Sequence, residues 1–119
     1  MAAASPRAIA GLVLLVAAVA GGSTLWQRWG ERSLAQRLAA VAAPGDIRLI
    51  SSDTCVFCLQ ASRWLTAHGV PFEECFIERD ARCEAEYQAR GAPGTPVVLV
   101  RGQPQRGFSA ERVARALGG

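Results

Sequence analysis

Two cysteines, Cys55 and Cys58, lie three positions apart between two segments of different periodicity. The run Ile47–Ser51 is short, largely apolar and β-branched, which predicts a buried strand. Residues 59–68 contain neither glycine nor proline and are followed by Gly69, which predicts a helix with a glycine just past its end. A strand, a loop with two thiols and a helix constrain the fold strongly, because cysteines one helical turn apart share a face and are close enough for a disulfide.

Cys55 is the predicted nucleophile of this pair. Unpaired N–H groups and the macrodipole at a helix start stabilise a thiolate, so its pKa is expected to lie below the free value of about 8.5. Cys58, one turn deeper, is the predicted resolving thiol, which releases the product from a mixed disulfide. Val56 and Phe57 are expected to set the exposure and apolar surroundings of the thiols. Asp53 is a nearby negative charge and is expected to raise the pKa of Cys55.

The N-terminal residues 1–27 differ in composition from the rest of the chain. Residues 8–27 are 20 residues without a charge, about the length that crosses the hydrocarbon core of a bilayer. One interpretation is a retained membrane anchor, with Trp26 and Trp29 at the membrane interface. The other is a cleaved signal peptide, since residues 18–20 supply an Ala-x-Ala site after a short apolar core. We expect the retained anchor, and therefore a single-pass membrane protein.

Residues 28–45 are predicted to be a helical linker, because Leu34 and Leu38 recur at helical spacing opposite the arginines. The domain proper is expected to be residues 46–119, with a small core. Its hydrophobic pattern alternates between strands and helices in the order β-α-β-α-β-β-α, which predicts an α/β domain. After the first strand and helix, the further strands are expected at residues 72–77, 97–100 and 105–108, and the further helices at residues 81–90 and 110–117.

The thiol pair at the start of the first helix of this domain, together with Thr95-Pro96 before the third strand, resembles the thioredoxin fold and, within it, the glutaredoxin family. The resemblance covers about residues 47–117. It implies a four-stranded mixed sheet and a thiol-disulfide oxidoreductase that reduces or exchanges disulfides through Cys55 and Cys58. It also implies that the Thr95-Pro96 bond is cis, faces the thiols and forms part of a substrate groove, and X-Pro is the common route to a cis bond.

Some residues depart from the usual glutaredoxin pattern. Val56-Phe57 replaces the usual proline and aromatic residue, and valine there is similar to glutaredoxin-like hydrogen donors of ribonucleotide reductase. Gly107-Phe108, which we include in the substrate groove, also resembles that subgroup, whereas glutathione-using members have a double glycine. Thr95 before the proline is similar to secreted disulfide isomerases. Glutaredoxins often carry a lysine before the motif, and this chain has no lysine. No bound cofactor is expected, and glutathione is at best a weak co-substrate.

The expected partners are protein or small-molecule disulfides, a thiol reductant such as glutathione or a reductase, and a membrane. Two other function classes use the same residues. A zinc module would use all four cysteines as tetrahedral ligands, although the spacing of the second pair does not repeat that of the first, and we assign no metal site. A redox-inactive interaction domain would keep the fold without catalysis. A nucleic-acid site is not expected, because the 13 basic residues form no stripe.

The compartment depends on opposing signals. Cys75 and Cys83 lie eight residues apart over a predicted strand-to-helix loop, and are either bridged or two ordinary small buried residues. A bridge would stabilise the small domain by about 2–3 kcal/mol. Arg28, Arg32 and Arg37 follow the apolar segment, which favours a cytoplasmic domain. The export-like N-terminus favours an oxidising space. We expect a bacterial inner-membrane protein with its domain on the extracytoplasmic side.

Overall fold

The computed structural model describes residue 3 and residues 5–118. The chain divides into two compact units, Met1–Ser33 and Leu34–Gly119. The secondary structure consists of α1 (Pro6–Val41), β1 (Ile47–Ser51), α2 (Val56–Ala67), β2 (Glu73–Phe76), α3 (Ala81–Ala89), β3 (Val97–Val100), β4 (Gln103–Arg106) and α4 (Ala110–Ala116). The order of elements after α1 is the predicted β-α-β-α-β-β-α.

Among the described residues, α1 is the one helix that is long and apolar enough to cross a membrane. Its most apolar 18-residue window has a mean hydropathy of 2.1, and none of that window is buried. The side chains of Leu14, Trp26 and Trp29 are all exposed. Such a helix has the length and the composition of a membrane anchor or of a signal segment.

The last turns of α1 contribute to the core of the second unit. Leu38 is fully buried and Ala35 is nearly so. Leu34 packs against the buried core residues to which Leu38 belongs. The side chain of Val41, by contrast, is exposed. The apolar stripe that predicted a helical linker therefore includes core residues that precede Asp46, because a small domain uses every apolar side chain within reach.

The second unit is built on a mixed four-stranded sheet with the strand order β2-β1-β3-β4. β1 runs parallel to β2 and antiparallel to β3, and β4 is antiparallel to β3. This arrangement confirms the α/β fold expected from the sequence. All four residues of β3 are buried, as expected for a central strand that is covered on both faces.

Side chains alternate between the two faces of the sheet and form two cores. Leu49 and Val98 belong to the core that also contains residues of α2 and α4. Ile50 and Leu99 belong to the other core, together with Cys83 of α3. The sheet therefore separates α2, which contains Cys58, from α3, which contains Cys83.

The last strand begins at Gln103, two residues earlier than the predicted Gln105, and ends before the predicted Phe108. Arg101 and Gly102 both have positive φ, at 48° and 81°, as in the two-residue turns that join antiparallel strands. Strand pairing therefore resumes at once. A proline at position 104 is compatible with the strand because β4 lies at the edge of the sheet.

Candidate active site

The first cysteine pair lies at the N-terminus of α2. Cys55 is the N-cap residue, and its sulfur accepts a hydrogen bond from the backbone N–H of Cys58 at 3.1 Å. The two cysteines form a disulfide, with their Cα atoms 5.2 Å apart. Cys55 is half-buried, whereas Cys58 is 1% exposed. A sulfur in the capping position receives the N–H groups that stabilise a thiolate, which fits the role predicted for Cys55.

Both sulfurs belong to residues that line one cavity of about 310 Å³, here called the thiol cavity. Val56, Leu59 and Ser62 of α2 line it from the same side, and Glu74 of β2 lines it from the sheet. The Glu74 carboxylate accepts a hydrogen bond of 2.7 Å from the hydroxyl of Ser51, a fully buried residue. Glu74 was not among the residues predicted for this site, because its position in the thiol cavity depends on the parallel pairing of β1 with β2.

Asp53 pairs with a cation in the structure. Its carboxylate forms an ion pair with Arg79, whose guanidinium also lies 4.1 Å from the centre of the Phe76 ring. The hydrogen bond to Asp53 raises the pKa of Arg79. Arg79 lines the same cavity as Asp53 and Cys55, so its positive charge opposes that of Asp53 beside the thiol pair.

Glu78 forms hydrogen bonds with the loop that precedes Cys55. Its carboxylate accepts hydrogen bonds from the hydroxyl of Ser52 and, at 3.0 Å, from the backbone N–H of Asp53. These two bonds, with that of Ser52 the larger, lower the pKa of Glu78. The backbone N–H of Cys55 in turn donates to the carbonyl of Ser52 at 3.2 Å. The ionised form of Glu78 therefore helps to hold the loop that positions Cys55.

The Thr95-Pro96 peptide bond is cis, which confirms the prediction. It lines a groove of about 360 Å³, here called the proline groove, together with Phe57, Gln60, Ala61, Trp64, Gly107 and Phe108. The rings of Trp64 and Phe108 pack with their centres 5.6 Å apart. None of the residues that line this groove is charged.

The predicted substrate residues divide between the two cavities. Phe57, Thr95, Pro96, Gly107 and Phe108 come together in the proline groove, whereas Val56 lines the thiol cavity. Successive residues of a helix point about 100° apart, so neighbours in the sequence face different cavities. The side chains of Val56 and Phe57 are 64% and 71% exposed, which leaves an apolar surface around the thiol pair.

The second pair, Cys75 and Cys83, also forms a disulfide, with its Cα atoms 6.1 Å apart. The bridge is one of the two alternatives that the sequence left open for this pair. The bridge joins β2 to the first turn of α3 and packs in the core that contains Ile50 and Leu99. The N-cap of α3 is Asp80, whose carboxylate accepts hydrogen bonds from the backbone N–H groups of residues 82 and 83 at 2.9 and 3.4 Å.

The zinc alternative does not agree with this geometry. The four cysteines form two separate bridges. Within residues 3 and 5–118, no group of three or more histidine, cysteine, aspartate and glutamate side chains is arranged to hold a metal ion. The cysteines therefore do not form the tetrahedral set that a zinc module requires.

Comparison with known proteins gives three results. Residues 47–104 match the family model described as Glutaredoxin. A mutant of the thioredoxin-like protein BC3987 has a similar structure, with 23% sequence identity and a TM-score of 0.54, over 62% of this chain and 96% of that one. A mutated glutaredoxin from buckwheat is also similar, with 12% identity and a TM-score of 0.50, over 74% of this chain and 90% of that one.

None of the curated proteins matches the sequence significantly. At identities this low, the two structural similarities show a shared thioredoxin-like fold and nothing about substrates. The family match adds the type of chemistry, because the matched residues include the disulfide-bonded pair Cys55 and Cys58 at the start of a helix. Residues 47–104 are therefore a domain that matches the glutaredoxin family model and has a thioredoxin-like fold.

Proposed function

We propose that this protein is a membrane-tethered thiol-disulfide oxidoreductase in which Cys55 is the nucleophile and Cys58 the resolving thiol. The observation that carries the proposal is the capping of α2 by the sulfur of Cys55, in a domain that matches the glutaredoxin family model. A half-buried sulfur at a helix N-terminus is stabilised as a thiolate and remains accessible to a substrate. The buried neighbour, Cys58, is protected from substrates but lies one helical turn away.

The reduction of a substrate then proceeds in two exchanges. The Cys55 thiolate attacks one sulfur of the substrate disulfide, which forms a mixed disulfide and releases one substrate thiolate. Cys58 loses its proton and attacks the sulfur of Cys55, which releases the second substrate thiolate and leaves the Cys55–Cys58 disulfide. Two electrons have moved to the substrate. A thiol reductant, either two glutathione molecules or a dithiol reductase, returns the pair to the reduced state.

Glu74 is the proposed proton acceptor for Cys58. Its carboxylate lines the cavity that both cysteines line, and the bond from Ser51 fixes one of its oxygens. A carboxylate that shares a cavity with a thiol is a candidate acceptor for its proton, either directly or through one water. Because Cys58 is almost inaccessible to solvent, a proton acceptor inside the protein shortens the lifetime of the mixed disulfide.

Glutathione is proposed as a weak co-substrate. It carries two carboxylates, and the proline groove is lined by uncharged residues. The exposed side chains of Val56 and Phe57 suit a polypeptide with apolar residues near its disulfide. Kinetics with a glutathionylated peptide, and with the same peptide joined to a second peptide by a disulfide, test this preference. A faster reaction of the glutathione conjugate would contradict it.

The proposed location is the membrane, with the domain on the extracytoplasmic side. The length and composition of α1 support an anchor, and the Cys75–Cys83 bridge supports an oxidising compartment. Arg28, Arg32 and Arg37 after the apolar segment argue for the cytoplasmic side. A reporter that is active only outside the cytoplasm, fused after residue 119, tests the topology. Activity of a cytoplasmic reporter at the same position instead would reverse the assignment.

Trapping of mixed disulfides tests the proposed chemistry. The Cys58→Ser variant of the full chain is expected to accumulate a covalent complex with a disulfide substrate, because the resolving step is lost. The matched Cys55→Ser variant is expected to form none. Complexes that form equally in both variants would contradict the assigned roles. A wild-type protein that is fully reduced, yet exchanges with no disulfide, would favour the redox-inactive interaction domain.

A further inference from the structure

Charge is divided between the two edges of the sheet. Residues 73–90, which include β2, contain six acidic and three basic residues, a formal net charge of 3 − 6 = −3. Residues 101–118, which include β4, contain four arginines and one glutamate, a formal net charge of 4 − 1 = +3. Because β2 and β4 are the outer strands, the domain carries opposite charges at its two edges.

The positive edge contains a continuous basic surface, formed by Arg106, Arg112 and Arg115. These exposed residues line a shallow depression of about 500 Å³ together with residues 104 and 105 of β4. In the part of the chain that the structure describes, none of the three forms an ion pair. The neighbouring Arg101, by contrast, pairs with Asp46 at 3.5 Å. The basic surface is therefore able to accept an external anion.

A further cavity connects the basic surface to the candidate active site. This outer groove, of about 570 Å³, shares Thr95, Pro96 and Gly107 with the proline groove, and Arg106 lines both it and the basic surface. Arg90 also lines this groove. A chain segment that leaves the proline groove across the cis peptide thus enters a groove that leads to the basic surface.

Arg90, which lines the outer groove, belongs to a cluster of paired charges. The Glu86 carboxylate accepts hydrogen bonds from Arg48 at 2.9 and 3.2 Å, and pairs with Arg90 at 3.4 Å. Two guanidinium groups therefore share the Glu86 carboxylate, and Glu73 places a second negative charge near Arg48. The positive charge of the outer groove therefore comes mainly from Arg106, which also lines the basic surface.

We propose that the outer groove and the basic surface bind an acidic segment of a polypeptide substrate whose disulfide reacts with Cys55. The inference rests on the proposed thiol-disulfide chemistry and adds a class of substrate: proteins that carry carboxylates several residues from the reacting cysteine. Two grooves in series suit an extended polypeptide, since residues on one side of its cysteine occupy both. Arginine and carboxylate groups form charge-assisted hydrogen bonds, which are stronger than neutral ones.

Two disulfide-linked peptides that differ only in their flanking residues test the proposal. One carries aspartates on both sides of its cysteine, and the other carries asparagines at the same positions. The full-length protein in a neutral detergent is expected to show a kcat/KM about tenfold higher for the acidic peptide at low salt. The ratio should approach 1 as NaCl rises from about 50 to about 500 mM, because salt screens exposed charges.

Charge-neutralising variants locate the effect. R106Q is expected to lower the acidic-to-neutral ratio about threefold, and the triple variant R106Q/R112Q/R115Q should bring it close to 1. The matched control is R82Q, which removes an exposed arginine from α3 at the negative edge and should leave the ratio unchanged. A wild-type ratio near 1, or an equal loss in R82Q and R106Q, would overturn the proposal.

A binding experiment separates this inference from the proposed chemistry. A cysteine-free acidic peptide with a fluorescent label should bind the oxidised protein and lose affinity in the triple variant. Such binding without turnover of any disulfide would reject the chemistry and keep the surface, whereas turnover without binding would do the reverse. Two other occupants of the basic surface, glutathione and anionic lipid, are distinguishable.

If R106Q lowered kcat/KM for a glutathione conjugate as much as for the acidic peptide, the surface would bind glutathione. If nanodiscs that contain phosphatidylglycerol displaced the peptide and phosphatidylcholine nanodiscs did not, the surface would bind anionic lipid. Either result would overturn the assignment to an acidic polypeptide.

Discussion

The two cysteine pairs resemble each other in burial and differ in what caps the neighbouring helix. Each pair has one half-buried and one buried cysteine, and each has a member at or in the first turn of a helix. At α2 the N-cap is the sulfur of Cys55 itself. At α3 the N-cap is Asp80, whose carboxylate accepts a hydrogen bond from the backbone N–H of Cys83.

This difference is the basis on which we propose one reactive and one structural disulfide in the same domain. The free N–H groups of a helix start stabilise one nearby negative charge. At α2 these N–H groups are available to stabilise the Cys55 thiolate. Cys55 also lines an accessible cavity. At α3 the carboxylate of Asp80 already occupies the N–H groups, and its charge disfavours a thiolate at Cys83. Burial alone does not distinguish the two pairs, because Cys58 and Cys83 are 1% and 3% exposed.

The largest expected effect is on activity. Cys55→Ser should reduce disulfide reduction to background, because the nucleophile is lost, while the serine hydroxyl still caps α2 and preserves the fold. The double variant Cys75→Ser/Cys83→Ser should keep turnover within about twofold of the wild type, since neither sulfur reacts with substrate. Turnover of a peptide disulfide at equal protein concentration measures both. If the double variant were the inactive one, the roles of the two pairs would be reversed.

The second expected effect is on stability and reverses the order of the variants. Loss of the Cys75–Cys83 bridge should lower the free energy of unfolding by about 2–3 kcal/mol, because the bridge constrains a short loop of the unfolded chain. Cys55→Ser should cost much less, since serine is a good N-cap. Urea denaturation followed by tryptophan fluorescence measures the difference in oxidised protein. Equal midpoints for the wild type and the double variant would show that the second bridge is not structural.

A smaller effect tests the cap of α3. Asp80→Ala should destabilise the protein by about 1 kcal/mol, because two N–H groups lose their acceptor, and Asp80→Ser should restore most of that loss. The serine variant also removes the carboxylate beside Cys83, so its Cys75–Cys83 bridge should be reduced faster by dithiothreitol than the wild-type bridge. Unchanged reduction rates in both variants would contradict the role assigned to the capping charge.

The smallest effect concerns the ion pair that joins α3 to β1. The hydrogen bond from Arg48 lowers the pKa of Glu86, so this contribution to stability is present above the ordinary carboxyl pKa of 4.5. It is lost as the pH falls through the lowered value in the folded state. Because the pair is partly exposed, Glu86→Gln should cost less than about 1 kcal/mol at pH 7. The variant should also lose less stability than the wild type below pH 4.5, as measured by urea denaturation; parallel pH profiles would contradict this.

Local patterns in the sequence predicted much of the fold and part of the site. The thiol spacing predicted the start of α2, and the apolar run at Val97–Val100 predicted the central strand. Thr95-Pro96 predicted the cis bond. Each of these features depends on residues that are neighbours in the sequence. The contacts of Glu74, Glu78 and Arg79 with the thiol region were not predictable. They depend on the parallel pairing of β1 with β2, which brings residues more than 20 positions apart together.

Two further differences between the predictions and the structure also arise from features that local sequence patterns do not encode. Leu38 joins the core although the pattern placed it in a linker, because a helical apolar stripe does not show which surface it packs on. The start of β4 was displaced because Arg101 adopts positive φ, which is uncommon for a residue other than glycine. Both depend on tertiary contacts or on a turn geometry that residue preferences alone do not specify.

The most direct test of the account is the order in which the two disulfides open. The oxidised full-length protein is treated with increasing amounts of dithiothreitol, the free thiols are alkylated, and each cysteine is quantified by mass spectrometry. We expect Cys55 and Cys58 to be alkylated first, while Cys75 and Cys83 remain bridged until the protein is unfolded or the reductant is in large excess. Earlier opening of the Cys75–Cys83 bridge, or opening of both at the same reductant concentration, would contradict the assignment of one reactive and one structural pair.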